Sequence, residues 1–210
     1  MRKDARKRIE EIGLVPVVIM DDVADAVPVA NALKAGGLNV MEIALRTEAG
    51  LDSIEEVAKK VPEVLIGAGT VLSLDKAIGA MERGARYIVS PGFDEIIVSW
   101  CLEHNIAVFP GCVTPTEITV AIGMGLDIVK FFPANMYGGK EAIQELSGPF
   151  PNVRFIPTGG IDLSNLKDYL VPQVIAVGGG WLCPRKDILE KNFESITAVC
   201  AKSLEIVKAG

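Results

Sequence analysis

Side chains that bind metals or carry redox chemistry are scarce in this sequence. It has one histidine, His104, and four cysteines that stand apart from one another: Cys101, Cys112, Cys183 and Cys200. No two cysteines form a Cys-x-x-Cys pair, and a zinc site needs ligands at recognised spacings. We therefore expect no metal and no cofactor. Scattered thiols also predict unpaired cysteines and a reducing, cytoplasmic location.

The sequence also lacks the features of membrane proteins and of nucleic-acid-binding proteins. No uninterrupted apolar stretch approaches the roughly 20 residues that span a bilayer. Residues 1–10 are basic but no apolar segment follows them, so we expect a short amphipathic helix there and no signal peptide. The net charge is −6, and no basic stripe with interleaved aromatics offsets it. We therefore expect neither a membrane nor a nucleic acid as partner.

Hydrophobic residues are plentiful, at 50% of the chain, with a mean hydropathy of +0.35. This richness suits strands that are buried on both faces, as in parallel sheets. Short apolar runs alternate with segments whose apolar residues follow the helical 3.6-residue period. The runs predict eight strands, at residues 14–20, 39–44, 64–68, 87–90, 107–110, 128–132, 154–157 and 174–177.

Eight strand–helix units in a chain of 210 residues predict an α/β protein, a (β/α)8 TIM barrel with an extra N-terminal helix. We expect residues 1–210 to form one domain, with a last helix over 186–207 and a helix that starts at Thr114-Pro115. A doubly wound open sheet is the rival fold. It is disfavoured because no Gly-x-Gly-x-x-Gly motif follows an early strand.

Lys130 is the residue that most directly indicates chemistry, because it is a lone charge between Val129 and two phenylalanines. Burial disfavours the protonated form of an amine, and a neutral amine can condense with a carbonyl to give a Schiff base. The alternative is a strand-edge lysine whose stem lies on apolar surface while its ammonium reaches water.

Polar residues at the predicted carboxyl ends of the strands are further candidates, since barrel active sites lie at that end. Glu42 and Arg46 share the parity of one strand face, and together they could serve as general base and carboxylate clamp, or form a structural ion pair. Thr70 and Pro91 end the third and fourth strands.

Glycine-rich turns follow the last two strands, in Pro157-Thr-Gly-Gly-Ile161 and Val177-Gly-Gly-Gly-Trp181. Barrels commonly bind phosphate there through exposed backbone N–H groups. The pair of turns is also compatible with two flexible connections that bind nothing.

Seven segments share their order and spacing with a known family: Glu42-Ile-Ala-Leu-Arg-Thr47, Gly67-Ala-Gly-Thr-Val71, Ser90-Pro-Gly92, Lys130-Phe-Phe-Pro-Ala134, Gly148-Pro-Phe150, Pro157-Thr-Gly-Gly160 and Val177-Gly-Gly-Gly-Trp181. Through them the chain resembles the class I 2-keto-3-deoxy-6-phosphogluconate (KDPG) aldolases, including those that also act on 2-keto-4-hydroxyglutarate (KHG). The resemblance covers nearly the whole chain, from Val15-Pro-Val17 onward.

The resemblance implies that Lys130 forms the Schiff base and that Glu42 is the general acid/base. It implies a pyruvyl site made by Arg46, Thr70, Pro91 and Phe132, and a distal site made by Thr158, Gly159, Gly160, Gly179 and Gly180. The family's usual Val-Gly-Gly-Ser-Trp is changed here, because Gly180 replaces the serine. One hydrogen bond to a charged group is worth about 1.5–3 kcal/mol, so affinity for a phosphorylated substrate is expected to fall.

The implied reaction is a reversible cleavage of KDPG to pyruvate and glyceraldehyde 3-phosphate, and of KHG to pyruvate and glyoxylate. Phosphogalactonate and unphosphorylated keto acids are alternative substrates. A non-catalytic sugar-acid-binding barrel and an isomerase or synthase are alternative functions. The resemblance also implies a homotrimer.

Overall fold

The computed structural model describes residues 2–209, so Met1 and Gly210, which belong to the predicted domain, lie outside the described residues. Strands and helices alternate along the chain. The strands are β1 Leu14–Val18, β2 Val40–Ala44, β3 Leu65–Gly69, β4 Tyr87–Ser90, β5 Ala107–Pro110, β6 Ile128–Phe131, β7 Arg154–Pro157 and β8 Val177–Gly179. The helices are α1 Arg2–Ile12, α2 Ala26–Ala35, α3 Ala49–Lys60, α4 Leu74–Glu82, α5 Glu95–Glu103, α6 Pro115–Gly123, α7 Gly139–Ser147, α8 Arg185–Leu189 and α9 Phe193–Ala209.

The strands form a curled parallel sheet of the α/β class. Six strands pair in the order β5-β4-β3-β2-β1-β8, and β6 pairs with β7. Single parallel bridges join the two parts, from Gly111 to Lys130 at one side and from Thr158 to Gly178 at the other. The predicted α/β class with parallel strands is therefore confirmed.

Each strand buries both of its faces, which explains the apolar composition of the strands. In β2, Met41 and Ile43 belong to the large hydrophobic cluster that also contains the helices' apolar side chains. Val40, on the opposite face, belongs to a second cluster with Ile128 of β6 and other inward-facing strand residues. This second cluster is the inner core of the curled sheet.

Helix α1 belongs to the inner core, because Ala5 and Ile9 are buried within it. Arg8 fixes the helix to the strand ends by donating hydrogen bonds to the carbonyl oxygens of Asn39 (3.1 Å) and Glu63 (2.6 Å). The predicted N-terminal helix is confirmed over Arg2–Ile12, and it closes the amino-terminal end of the strands as a plug. None of the described helices is both long and apolar enough to cross a lipid bilayer.

The predicted start of α6 is confirmed, with Pro115 at its first position. The hydroxyl of Thr114 accepts a hydrogen bond from the N–H of Glu117, and the Glu117 carboxylate accepts one from the N–H of Thr114. This reciprocal capping box satisfies two of the free donors at the helix start.

The prediction of β8 at residues 174–177 begins three residues too early and ends two residues too early, since β8 is Val177–Gly179. Glycines are required here because a Cβ on Gly178 would lie 2.5 Å from the Thr158 hydroxyl, and one on Gly179 would lie 2.1 Å from the Trp181 ring. The apolar run at 174–177 therefore lies mostly before the strand, and the strand itself consists largely of glycine. The other strand predictions end within two residues of the observed bounds.

Two helix predictions also need correction. The last helix does not run unbroken over 186–207, because α8 ends at Leu189 and Lys191 takes a left-handed φ of +55° before α9 begins. Between β7 and β8 the expected α-helix is replaced by the short 3-10 helix Leu166–Tyr169. Pro172 follows closely, and it has no N–H to extend a helix.

We predict that Ile9→Ala destabilises the protein by about 2–5 kcal/mol, because Ile9 is fully buried in the inner core and its removal leaves a cavity. Urea unfolding followed by circular dichroism measures this change. Ile12→Ala is the matched control, since Ile12 lies on the same helix but is only partly buried. Equal losses for the two variants would contradict the plug described for α1.

Candidate active site

Lys130 and Glu42 meet inside the curled sheet, each at the third position of its strand. Alternation along a strand puts Lys130 on the same face as Ile128, and Glu42 on the same face as Val40. Both faces point to the inner core, so the two charged side chains lie above it, nearer the carboxyl ends of the strands. The Lys130 Nζ donates a hydrogen bond of 3.2 Å to Glu42 Oε1.

The Lys130–Glu42 pair is shielded from solvent, with 6% of Lys130 and 4% of Glu42 exposed. Burial disfavours both charges, whereas each charge favours the other at this separation. The alternative of a lysine that reaches water at a strand edge is therefore wrong. The pair can exchange a proton directly, and a transfer from Lys130 to Glu42 leaves two neutral groups.

A glycine in the neighbouring strand makes room for the Glu42 carboxylate. A Cβ on Gly69 would lie 2.1 Å from Glu42 Oε1, too close for any residue other than glycine while the carboxylate stays in place. Gly69 is the last residue of β3 and pairs with Ala44 in the β2–β3 ladder. The predicted strand at 64–68 contains Gly67 but stops one residue before Gly69, whereas both glycines lie within β3 and leave space because they have no side chains.

Arg46 and Thr70 lie together just beyond the ends of β2 and β3. The Arg46 Nε donates a hydrogen bond of 3.2 Å to the hydroxyl of Thr70. Arg46 is exposed, and it follows Ala44, the last residue of its strand. Since Thr70 follows Gly69 directly, the Arg46–Thr70 pair lies at the carboxyl end of β3, next to the glycine that packs on the Glu42 carboxylate.

Thr70 has an unusual backbone conformation, with a φ of +55°. The left-handed region is unfavourable for a β-branched residue, and such strain costs about 1–3 kcal/mol and clusters at functional sites. No sequence pattern indicated this conformation, since a threonine at a strand end is ordinary. The strained backbone aims the Thr70 hydroxyl at Arg46.

Phe132 connects the pair to the turn after β7. Its ring centroid is 5.5 Å from the Lys130 Nζ. Gly159 approaches the same ring so closely that a Cβ on it would lie 3.3 Å from two ring carbons. Thr158, which is buried, bridges Gly178 of β8. These contacts bring Lys130, Phe132 and the predicted distal residues to one end of the sheet.

The two glycine turns lie side by side, since the Thr158–Gly178 bridge joins the strands that precede them. Gly159 and Gly160 both have positive φ values, of +100° and +72°. None of the hydrogen bonds among residues 2–209 uses the backbone N–H of either glycine. Gly179 is buried under the Trp181 ring, whereas Gly180 is exposed.

Pro91 lies next to Gly111, the residue that follows β5. Its carbonyl packs on Gly111, where a Cβ would come within 2.0 Å, and Gly111 bridges Lys130. No hydrogen bond within the described part of the chain joins Pro91 itself to the Lys130–Glu42 pair. Residues 2–209 contain no group of three or more His, Cys, Asp or Glu side chains that could hold a metal ion.

One residue of this site was missed by the sequence interpretation. Tyr87, in the first position of β4, lines a small internal cavity together with Glu42 and Lys130. It was assigned only to a strand, because a tyrosine in an apolar run is typical of strands in general. Its relation to Glu42 depends on Gly67 and on the pairing of distant strands, which no local pattern shows.

The chain is similar to known aldolases along nearly its whole length. The family model "KDPG and KHG aldolase" matches residues 5–199. The 2-dehydro-3-deoxy-phosphogluconate aldolase of Treponema pallidum (strain Nichols) is 42% identical over 95% of each chain. The KHG/KDPG aldolase of Escherichia coli (strain K12) is 41% identical over 93% of this chain and 92% of its own.

A crystal structure of the KDPG aldolase from Legionella pneumophila is similar in three dimensions. It superposes with a TM-score of 0.91 and 36% sequence identity, and the match covers 94% of this chain and 96% of that one. In that structure pyruvate is captured at low pH as a covalent carbinolamine intermediate. The resemblance read from the sequence motifs is therefore confirmed, and this chain belongs to the KDPG and KHG aldolase family.

Proposed function

We propose that this protein is a class I aldolase that reversibly cleaves KDPG to pyruvate and glyceraldehyde 3-phosphate, and KHG to pyruvate and glyoxylate. The observation that carries the proposal is the buried hydrogen bond between Lys130 and Glu42. Family membership supports it, as does the pyruvate carbinolamine captured in the Legionella relative.

The reaction begins when Lys130 gives a proton to Glu42, which is in direct contact with it. The neutral amine attacks C2 of the keto acid, and Glu42 protonates the resulting hydroxyl so that water leaves. The product is a protonated imine on Nζ, which draws electrons from the neighbouring carbons and makes a metal unnecessary for cleavage.

Carbon–carbon cleavage follows from the same pair of residues. Glu42 removes the proton of the C4 hydroxyl, the C3–C4 bonding electrons move into the imine, and the aldehyde departs from an enamine. Glu42 then returns a proton to C3. Water attacks the imine, which releases pyruvate and restores the amine. The water lost in the first half is thereby regained in the second.

The surrounding residues hold the two ends of the substrate. Arg46 presents a planar guanidinium suited to the pyruvyl carboxylate, next to the Thr70 hydroxyl. Phe132 and Pro91 form the apolar walls. At the distal end, Thr158, Gly159, Gly160, Gly179 and Gly180 would surround the phosphate, with the unused N–H groups of Gly159 and Gly160 as donors.

We also propose the larger-scale features that the sequence predicts. Residues 1–210 form one domain, and the two single bridges support closure of the eight strands into a (β/α)8 barrel. The free cysteines, all buried, support a cytoplasmic location. The family resemblance supports a homotrimer, for which the exposed side chains of Ile96, Val120 and Ile122 on α5 and α6 are candidate contacts.

We predict that borohydride traps pyruvate on Lys130, and that Lys130→Ala abolishes both the trapped adduct and turnover. Mass spectrometry of the intact protein and of its peptides locates the adduct. Lys59→Ala is the control, since Lys59 is exposed and lies in the last turn of α3. Turnover that survives borohydride and pyruvate but is lost in EDTA would favour a metal-dependent aldolase.

We predict that Glu42→Gln lowers kcat by roughly 10²–10⁴-fold, the usual contribution of a general acid/base. Glutamine keeps the size and a hydrogen-bond acceptor beside Lys130 but cannot exchange the proton. Coupling pyruvate release to lactate dehydrogenase measures the rate. Glu48→Gln is the control, because Glu48 is exposed beyond the end of β2. Near-normal turnover in Glu42→Gln would exclude Glu42 as the acid/base.

We predict that Gly180→Ser lowers KM for KDPG by about tenfold or more and leaves KM for KHG unchanged, because a hydroxyl would gain a hydrogen bond to a phosphate. Space exists for the side chain, since a Cβ on Gly180 would lie 3.8 Å from the Val17 carbonyl oxygen, an ordinary contact. Gly123→Ser, at an open position, is the control. An equal effect on both substrates would show that Gly180 does not face the phosphate.

A further inference from the structure

Tyr87 is a fully buried side chain beside the Lys130–Glu42 pair that no step of the proposed reaction uses. It lines the same internal cavity as both residues. Burial, together with the nearby Glu42 carboxylate, raises the pKa of the Tyr87 phenol well above its usual range. The phenol therefore stays neutral, and its hydroxyl acts as a stable hydrogen-bond donor.

The Tyr87 hydroxyl donates a hydrogen bond of 2.9 Å to the carbonyl oxygen of Met41, the residue before Glu42. The peptide group between Met41 and Glu42 is planar, so the orientation of that carbonyl also fixes the N–H of Glu42. The direction in which the Glu42 side chain leaves the strand depends on this plane. The hydroxyl thus acts on the carboxylate through the backbone.

Contacts with Gly67 and Phe109 also fix the position of the Tyr87 ring. A Cβ on Gly67 would lie 2.2 Å from the ring carbon that bears the hydroxyl, so the ring crosses β3 only because Gly67 has no side chain. On another side the ring packs against Phe109 at a centroid distance of 6.0 Å and an interplanar angle of 64°. Such edge-to-face contacts are favourable for aromatic pairs.

Two glycines in one strand therefore serve two neighbouring side chains. Gly67 admits the Tyr87 ring, and Gly69, two residues further along the same face, admits the Glu42 carboxylate. Strand β4 reaches across β3 to hold the β2 backbone at Met41, while Gly69 leaves the carboxylate free to reach Lys130. The position of Glu42 is therefore determined by the Tyr87 hydrogen bond to its backbone and by the space that Gly69 leaves for its carboxylate.

We propose that Tyr87 is a positioning residue for Glu42: its hydroxyl holds the Met41–Glu42 peptide so that the carboxylate stays aligned with Lys130 and the substrate C3. The inference rests on the aldolase function proposed above. It predicts that loss of the hydroxyl slows proton transfer at C3 but leaves the final number of trappable sites unchanged, because the Tyr87 hydroxyl bonds to the Met41 carbonyl and not to Lys130.

The test is Tyr87→Phe, which keeps the ring and removes only the hydroxyl. Exchange of the pyruvate methyl protons with D₂O, followed by NMR, reports proton transfer at C3, and borohydride trapping with labelled pyruvate counts the competent sites. Per trapped site, we expect exchange and kcat to fall by about tenfold, the scale of one lost hydrogen bond, with KM changed by less than about twofold. Normalising to trapped sites removes any effect of lost folded protein.

Tyr169→Phe is the matched control, since Tyr169 is buried in the 3-10 helix between β7 and β8, outside the inner core. It should retain the wild-type exchange rate per trapped site. Exchange in Tyr87→Phe equal to that of the wild type would overturn the positioning role. A wild-type protein that neither traps pyruvate nor exchanges its protons would instead refute the proposed aldolase function.

Discussion

The hydrogen bond between Lys130 and Glu42 is the interaction on which the rest of the site depends. Removing two charges from water costs several kcal/mol per ion, and their attraction offsets this cost only in good geometry. A proton transfer between them removes both charges without moving either side chain. The pair is therefore compatible with a folded apolar interior. It also places a nucleophile, Lys130, beside a base, Glu42.

The geometry of this pair is produced by the backbone as much as by side chains. Parallel pairing places Glu42 opposite Gly67 in the β2–β3 ladder, and a single bridge connects Gly111 to Lys130. Glycines provide the room that charged and aromatic groups occupy inside the sheet. Helix α1 completes the inner core from the opposite end, so stability and reactivity are divided between the two ends of the strands.

The sequence predicted the features that have local or strongly periodic signals. Strand order and the helix start at Thr114-Pro115 follow from patterns within a few residues. Local patterns also made Lys130 and Glu42 candidates, but their contact across distant strands is visible only in the structure. The position of β8 was missed because it depends on where Thr158 lies in another strand. The strained φ of Thr70 and the reach of Tyr87 across Gly67 were missed because both depend on contacts between distant segments.

The central claim is that the amine of Lys130 bonds covalently to the keto carbon of its substrate inside the curled sheet. A crystal of the wild-type protein soaked with pyruvate at low pH tests this claim most directly. We expect continuous electron density from the Lys130 Nζ to C2, with the pyruvate carboxylate beside Arg46. Pyruvate bound with no density joining it to Nζ, or joined to a different lysine, would contradict the account.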